Sequence, residues 1–350
     1  MKIQTYAIFL ISVLILSCKN DPKGNEAVLD PSLDPMQGKA LAVNLMGEKL
    51  QEWNDPDSVK NLRMFQIEES RRIYLGKLDD PKGYLIYGRA FLANGQVENA
   101  IQIFSKGTAK FPEVPDLYLY NGEAMLIGRQ LQPAIDQFWK AGQNMEKLTA
   151  PAGISGLSYR DSIAGISLQF KNYLLMGLAF QCNRDLSSAD KMFEVCGDFS
   201  TNPDLWVRSY YWQYECYNRS GRQKEAESLL GNVSKTMQIL PVSRSYLDAM
   251  LYYKGELQEK ELVDLNALPK SSDEAEDWLV RAYAVGVKNL LQNKNEEAIR
   301  VFKTILSTGF WNQLPFIAAE GELARLGGVE IKQPEVIELN TQDKKKPVKF

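Results

Sequence analysis

The sequence repeats itself in two adjacent segments, PKGYLIYGRAFLANGQVENAIQIFSKGTAKFPEV at residues 81–114 and PDLYLYNGEAMLIGRQLQPAIDQFWKAGQNMEKL at residues 115–148. At a shift of 34 residues, Gly88 aligns with Gly122 and Phe104 aligns with Phe138. Apolar residues recur three and four positions apart within each segment, which is typical of one face of a helix. Self-similarity with a period of about 34 residues indicates a series of helix–turn–helix units.

The small residues of each unit indicate how its two helices pack. Gly88 and Ala100 allow close approach of the helices, and Phe104 fills the remaining gap. A break at Asn94-Gly95 separates the helices, and Phe111-Pro112 ends the unit because proline cannot continue a helix. The same register recurs three more times, twice in residues 170–237 and once in 279–312, where its marker residues are Gly177, Ala189, Phe193, Tyr214, Ala226, Gly286, Ala298 and Phe302.

This pattern resembles the tetratricopeptide repeat (TPR) family, in which small residues alternate with aromatic residues before Ala, Phe and Pro. The resemblance implies an all-α fold, a right-handed α-solenoid of helix–turn–helix repeats with a concave inner face. We therefore divide the chain into a signal peptide (1–17), a flexible tether (18–37), N-terminal capping helices (38–80), repeats 1 and 2 (81–141), a loop insertion (142–169), repeats 3 and 4 (170–240), an irregular helix and hinge (241–273), a last repeat with a C-terminal capping helix (274–326) and a disordered tail (327–350).

The sequence also predicts the N-terminal helices and the start of one repeat helix. Residues 38–54 and 58–77 are predicted to form two amphipathic helices. Ser187-Ser188-Ala189-Asp190 provides an N-cap with an acidic residue three positions on, which indicates a helix start at Ser187.

The N-terminal residues have the features of a secretory signal peptide. Lys2 precedes an apolar run from Ala7 to Leu16, which is shorter than the ~20 residues that span a membrane. The sequence Ile15-Leu16-Ser17-Cys18 resembles the lipobox of bacterial lipoproteins, which implies that Cys18 is lipidated and becomes the first mature residue. Lys19-Asn20-Asp21 resembles the surface-export signal of Bacteroidota lipoproteins. We therefore expect a lipid-anchored protein of the bacterial cell envelope, in the outer membrane.

Composition limits the chemistry that the chain can perform. Its 350 residues include no histidine, which excludes histidine-dependent nucleophiles, general bases and metal ligands. The formal charge of −3 gives no general attraction to nucleic acid. We expect no catalysis, no cofactor and no metal. Beyond Cys18, the cysteines are either buried thiols or form one disulfide; they are Cys182, Cys196 and Cys216.

The TPR resemblance implies which side chains face a partner. The positions that bind ligands in this family correspond here to Leu85, Arg89, Leu92, Leu119, Glu123, Leu126, Lys171, Leu174, Leu178, Tyr211, Glu215 and Arg219. A leucine-rich groove of this kind suits a helix or an extended apolar segment of a protein or peptide partner. We therefore expect a scaffold for protein–protein interaction. The alternative is that the chain's own N-terminal helices or the 142–169 loop fill the groove.

A second function remains open because of an aromatic cluster. Residues 206–217 read WVRSYYWQYECY and contain six aromatic residues in twelve positions. If Tyr211 and Trp212 are exposed beside a pair of carboxylates, the protein would be a surface lipoprotein that binds or processes glycans for nutrient uptake. If they point inward, they are part of the helical core.

Overall fold

The computed structural model describes residues 43–50, 57–148 and 159–328. This part of the chain is helical, and its only β pairing is an isolated bridge between Val43 and Lys49. A short 3-10 helix, Pro241–Ser243, precedes α11. The α-helices are α1 Asp57–Gly76, α2 Pro81–Ala93, α3 Val97–Lys110, α4 Pro115–Ile127, α5 Leu131–Met145, α6 Tyr159–Ala164, α7 Leu168–Cys182, α8 Leu186–Asp198, α9 Pro203–Arg219, α10 Gln223–Gly231, α11 Arg244–Lys254, α12 Glu259–Leu262, α13 Ser272–Leu291, α14 Asn295–Ser307 and α15 Leu314–Leu326.

The helices pack in consecutive pairs, as the repeat predicts. The tightest pairs are α2 with α3, α4 with α5, α7 with α8 and α13 with α14, and each pair also packs on the helices that flank it. The fold class is therefore confirmed as an all-α, right-handed solenoid of TPR-type repeats. The repeat supplies its own core, because each amphipathic helix buries its apolar face against the next one.

A phenylalanine of the second helix lies against a glycine of the first helix in each of these four pairs. A Cβ atom on Gly122 would lie 2.6 Å from Cε1 of Phe138, and one on Gly177 would lie 2.5 Å from Cε1 of Phe193. The same contact joins Gly286 to Phe302. These rings are fully buried, so no side chain larger than hydrogen fits at the glycine positions without movement of the helices.

The pair of repeat 4, α9 with α10, differs because Tyr214 replaces the glycine. Its ring stacks on that of Tyr253 in α11, with the ring centroids 4.4 Å apart. The helix that follows, α10, is only nine residues long. The solenoid therefore accommodates the larger residue by packing α9 on α11, beyond its own partner helix.

The turn between the helices of a pair uses a residue in the left-handed region of backbone space. Repeats 1 and 4 place glycine there, with φ 71° at Gly95 and 76° at Gly221. Repeats 2 and 3 place Arg129 (φ 60°) and Arg184 (φ 66°) in the same turn. A residue with a Cβ atom is disfavoured in this conformation by about 1–2 kcal/mol, so something else must keep arginine at these two positions.

Three sequence predictions are corrected by the structure. Residues 43–50 do not form the expected first capping helix but a turn, in which Oδ1 of Asn44 accepts hydrogen bonds from the backbone N–H groups of Met46 and Glu48. The predicted loop insertion begins inside a helix, because α5 continues to Met145, and α6 lies within the same region. The helix cap expected at Ser187 is provided two residues earlier, by Asp185.

Candidate functional site

Most of the residues predicted to line the partner groove are not accessible. Seven of the twelve are at most 7% exposed, namely Leu85, Leu119, Leu126, Leu174, Leu178, Tyr211 and Glu215. The other five, Arg89, Leu92, Glu123, Lys171 and Arg219, are partly buried. The prediction of a continuous open groove along the first helices is therefore wrong, and the reason is that other parts of the chain occupy it.

The C-terminal helix α15 covers much of the predicted groove. Nearly all of its side chains are buried, and it packs on α7 and α13, the first helices of repeats 3 and 5. The turn arginines of repeats 2 and 3 hold it there, because Arg129 pairs with Glu320 and Arg184 donates a hydrogen bond to the carbonyl oxygen of Ala324. This accounts for the two arginines in left-handed turn positions.

The pair Arg129–Glu320 is fully enclosed, with side-chain exposures of 1% and 0%. Arg129 Nε and Nη2 donate to the two carboxylate oxygens of Glu320 at 3.0 and 2.6 Å. Arg129 also donates to the carbonyl oxygens of Ile127 and Trp311. A two-pronged ion pair with its remaining donors satisfied is the geometry in which burial of two opposite charges is tolerated.

A second buried network fixes α15 to repeat 4. Arg219 Nη1 lies 2.8 Å from Glu215 Oε1 and 2.6 Å from Glu322 Oε1. Glu215 Oε2 accepts further hydrogen bonds from Gln181 and Tyr283. Burial raises the pKa of Glu215, against the opposite effect of Arg219. The predicted groove residues Glu215 and Arg219 therefore serve the docking of α15, and they are not free for a partner.

The N-terminal turn also lies in this region. Leu45 and Leu50 are buried in the main hydrophobic core, and the backbone N–H of Leu45 donates to Glu320 Oε2 at 3.3 Å. The alternative named the N-terminal helices or the 142–169 loop as the segments that fill the groove. The occupants are a turn and the C-terminal helix, however, and the second of these was not foreseen from the sequence.

One cavity that stays open among the described residues has a volume of about 340 Å³. Helices α2, α4 and α7 of the first three repeats form one side of it, and α6, α9, α11, α13 and the loop before α15 form the rest. Five of the predicted partner-binding residues line it: Arg89, Leu92, Glu123, Lys171 and Leu174. Its size and mixed apolar and charged walls are typical of a small binding pocket.

Most charges in the cavity wall are already paired. Lys171 Nζ lies 2.9 Å from Glu123 Oε1. Burial alone would lower the pKa of Lys171, but Glu123, Asp161 and Tyr120 together outweigh it and hold the pKa above its usual value. Arg208 lies 3.9 Å from both Asp161 and Glu276. These pairs leave little free charge in the interior of the cavity.

Arg89 is the exception. No carboxylate within the described ranges pairs with its guanidinium group, which lies over the ring of Tyr120 at 5.0 Å from the centroid. Lys171 lies 5.1 Å from the same centroid. Tyr120 is 2% exposed, and its hydroxyl has no hydrogen-bond partner within the described structure. Two cations thus lie near the ring of Tyr120, and among the described residues only Lys171 of the two forms an ion pair with a carboxylate.

Five of the six aromatic residues of this cluster in α9 lie in or against the core, and Trp206 is 39% exposed. Tyr211 and Trp212 are 2% and 1% exposed, and the hydroxyl of Tyr211 donates to the carbonyl oxygen of Val280 at 2.9 Å. The exposed sugar-stacking surface on which the glycan hypothesis depended is therefore not formed by these two residues. The inward orientation, left open by the sequence, is the correct one.

The structure also bears on the cysteines, on metal binding and on membrane-spanning helices. Cys182, Cys196 and Cys216 are free, buried thiols, and burial raises the pKa of each. The described ranges contain no cluster of three acidic or sulfur ligands that could hold a metal ion. No helix within those ranges is long and apolar enough to cross a membrane. The predicted signal peptide, Cys18 and the tether lie outside the described residues, as do residues 329–350 of the predicted tail.

Comparison with known proteins gives only distant structural likenesses. No protein-family model matches the chain, and no curated protein sequence matches it. The crystal structure of MamA is 16% identical, with a TM-score of 0.38 over 59% of this chain and 99% of that one. YrrB, described as a TPR protein with an unusual peptide-binding site, is 12% identical, with a TM-score of 0.38 over 69% of this chain and 93% of that one. The P58(IPK) TPR domain has 12% identity and a TM-score of 0.23, with coverage of 77% and 95%. At these scores the likenesses carry no argument about function, and the fold assignment depends on the helix pairs described above.

Proposed function

We propose that this protein is a scaffold that binds a partner protein at the cavity between its first three repeats and its C-terminal half. The observation that carries the proposal is that the cavity is the part of the predicted groove left open when α15 and the N-terminal turn have docked. Helical repeats present extended surfaces and support binding far more often than catalysis. We propose no catalytic role.

The cavity is suited to a side chain from a partner surface. Leu92, Leu174 and Leu314 give it apolar wall area, and the paired charges of Lys171 and Glu123 lie beside them. A volume of about 340 Å³ is at the lower end of the range for ligand pockets. It therefore accommodates one large side chain or a short segment, and a complete partner helix is too large for it.

Site-specific photocrosslinking in cells of the native host tests this proposal. A benzophenone amino acid at Ala93, which lines the cavity and is exposed, should form a covalent adduct with a partner protein. The same probe at Trp139, which is 46% exposed and does not line the cavity, is the matched control. The proposal fails if probes at Ala93 and Asn312, which both line the cavity, form no adduct or only the adducts found at Trp139.

We also propose that the scaffold is tethered to a bacterial envelope membrane, at the outer membrane, by lipid on Cys18. The support is the sequence alone: an apolar run from Ala7 to Leu16 followed by Ser17-Cys18. More than one acyl chain is needed for stable anchoring, and lipoprotein processing supplies this. Growth with an alkyne analogue of palmitate should label the wild-type protein, whereas Cys18→Ser should lose the label and leave the membrane fraction. Equal labelling of both proteins would contradict the anchor.

A further inference from the structure

The mouth of the cavity lies at the end of α2. Arg89 and Leu92 are partly buried, and Ala93, one turn after Arg89 on the same helix, is exposed. Across from them, Asn312 and Gln313 of the loop before α15 are also partly exposed. Other lining residues, such as Arg208 at 4% and Leu175 at 1%, are enclosed. Arg89 therefore lies beside the exposed end of α2, where a ligand from solvent can reach it.

Among the described residues, the charged side chains deeper in the cavity lie beside groups of opposite charge, whereas Arg89 does not. Glu123 satisfies Lys171, and Asp161 and Glu276 lie beside Arg208. Arg160 reaches Glu276 at 2.9 Å, which completes the pairing on that side. Within the described ranges, Arg89 contacts the face of Tyr120 and forms no ion pair. A guanidinium group without an acid, in a partly desolvated position, binds a carboxylate more strongly than a fully hydrated one does, because water screens it less.

On this basis we propose that the scaffold recognises an internal segment of its partner in which an aspartate or glutamate neighbours a large apolar residue. The apolar side chain enters the cavity between Leu92 and Leu174, and the carboxylate pairs with Arg89 at the mouth. The proposal rests on the proposed function and specifies the chemistry of the partner at the same cavity.

The position of the free cation favours an internal segment over a chain terminus. A terminal carboxylate carried into the cavity would approach the carboxylates of Glu123, Asp161 and Glu276, which line its wall. A segment that passes over the mouth places its acidic group near Arg89 and leaves only an apolar side chain inside. Because two carboxylates repel one another in a partly buried site, the internal segment is favoured over the chain terminus.

Selection from a random peptide library displayed on phage tests the proposal. The probe is a library of 12-residue peptides fused through their C-termini, so that no free carboxyl end is presented. Full-length protein with Cys18→Ser is the immobilised target. We expect the peptides to share Asp or Glu within one or two positions of Leu, Ile, Met or Phe. Replacing that acidic residue by Asn or Gln in a synthetic, C-terminally amidated peptide should weaken binding roughly tenfold.

Variants of the target assign the effect to Arg89. With Arg89→Gln, the acidic peptide and its amide counterpart should bind within about twofold of one another. Lys82→Gln is the matched control, because it removes one positive charge from the exposed surface of the same helix and should preserve the tenfold difference. Circular dichroism confirms that both variants keep the helical fold.

The outcomes separate this inference from the proposed function. The inference is overturned, and the scaffold proposal stands, if the selected peptides compete with one another and crosslink to the probe at position 93 but show no preference for an acidic residue. The same holds if that preference survives Arg89→Gln. Selection that succeeds only in a second library with free C-termini also overturns it, in favour of a chain terminus. Failure of both libraries together with the absence of crosslinked partners counts against the scaffold proposal itself.

Discussion

The ring of Phe104 occupies the space that a side chain on Gly88 would need, since a Cβ atom there would lie 2.5 Å from Cε1 of the ring. Gly88→Ala should therefore destabilise the protein by about 1–3 kcal/mol, because the buried ring and the helix that carries it must move. This loss should exceed the gain in helix propensity that alanine normally brings over glycine. Urea unfolding followed by circular dichroism measures the difference.

Gly231→Ala is the matched control for this substitution. Gly231 ends α10, is exposed, and has no atom within 4 Å of the position a Cβ would take. The variant should be as stable as the wild type or slightly more stable. Equal destabilisation by the two substitutions would show that the close contact between helices is not what requires glycine at position 88.

We predict that Glu320→Met and Arg129→Met each cost about 3–5 kcal/mol, because each leaves a buried charge without its partner. The double variant Arg129→Met/Glu320→Met should be clearly more stable than the sum of the two single effects implies. A double-mutant cycle from thermal or urea unfolding gives the coupling. A coupling near zero would mean that this ion pair does not hold α15 in place. Exposed Arg300 and Glu297, neutralised in the same way, should show almost no coupling.

The cap of α8 gives a pH-dependent contribution. Hydrogen bonds from Ser188 lower the pKa of Asp185 below its usual value, and the backbone N–H of Ser188 lies 3.0 Å from Asp185 Oδ1. A carboxyl whose pKa is lowered by folding stabilises the native state above the unfolded-state pKa, about 3.9, and this stabilisation is lost as the pH falls through the folded-state pKa.

Asp185→Ala should therefore cost about 1 kcal/mol at pH 7 and less below pH 4. Asp185→Asn keeps the capping oxygen without the charge, so its stability relative to alanine should change little between the two pH values. Urea midpoints for the three proteins at pH 7 and at the lowest pH where all remain folded provide the comparison. A wild-type advantage over alanine that grows on acidification would contradict the assignment.

The three thiols should be unreactive in the native protein. They are buried, and burial raises their pKa, so they present neither accessible sulfur nor thiolate. In the Cys18→Ser protein, Ellman's reagent should detect no thiol under native conditions and three in concentrated guanidinium. Detection of one thiol after unfolding would indicate a disulfide, which the separate positions of Cys182, Cys196 and Cys216 argue against.

The repeat part of the fold was predictable because its information is local and periodic. Gly122 and Phe138 lie sixteen positions apart, as do Gly177 and Phe193, and helical periodicity places each pair in contact. The first capping helix was predicted wrongly because the side chain of Asn44 offers its own backbone hydrogen bonds, which compete with a helix. Residue patterns alone did not show that competition.

The docking of α15 was not predictable from the period. Arg129 and Glu320 are 191 residues apart, and no repeat relates them. One signal was present, however: arginine occupies in repeat 2 the turn position that glycine takes in repeat 1 at Gly95. Of the candidate site, the sequence supplied Arg89, Glu123 and Lys171 from the helix positions, whereas Asp161 and Glu276 come from outside the regular register and are brought there only by the folded chain.

An array of helical repeats ordinarily frays from its ends, since each unit depends only on its neighbours. Here the last helix is tied to the turns of the second and third repeats, and Leu45 near the other end is tied to that same helix through Glu320. Loosening either end therefore costs contacts in the middle, and the molecule should melt as one cooperative body. The apolar inner surface of the early repeats also stays uncovered until α15 is available to pack on it, so chains that stop short of residue 314 should need chaperones or aggregate.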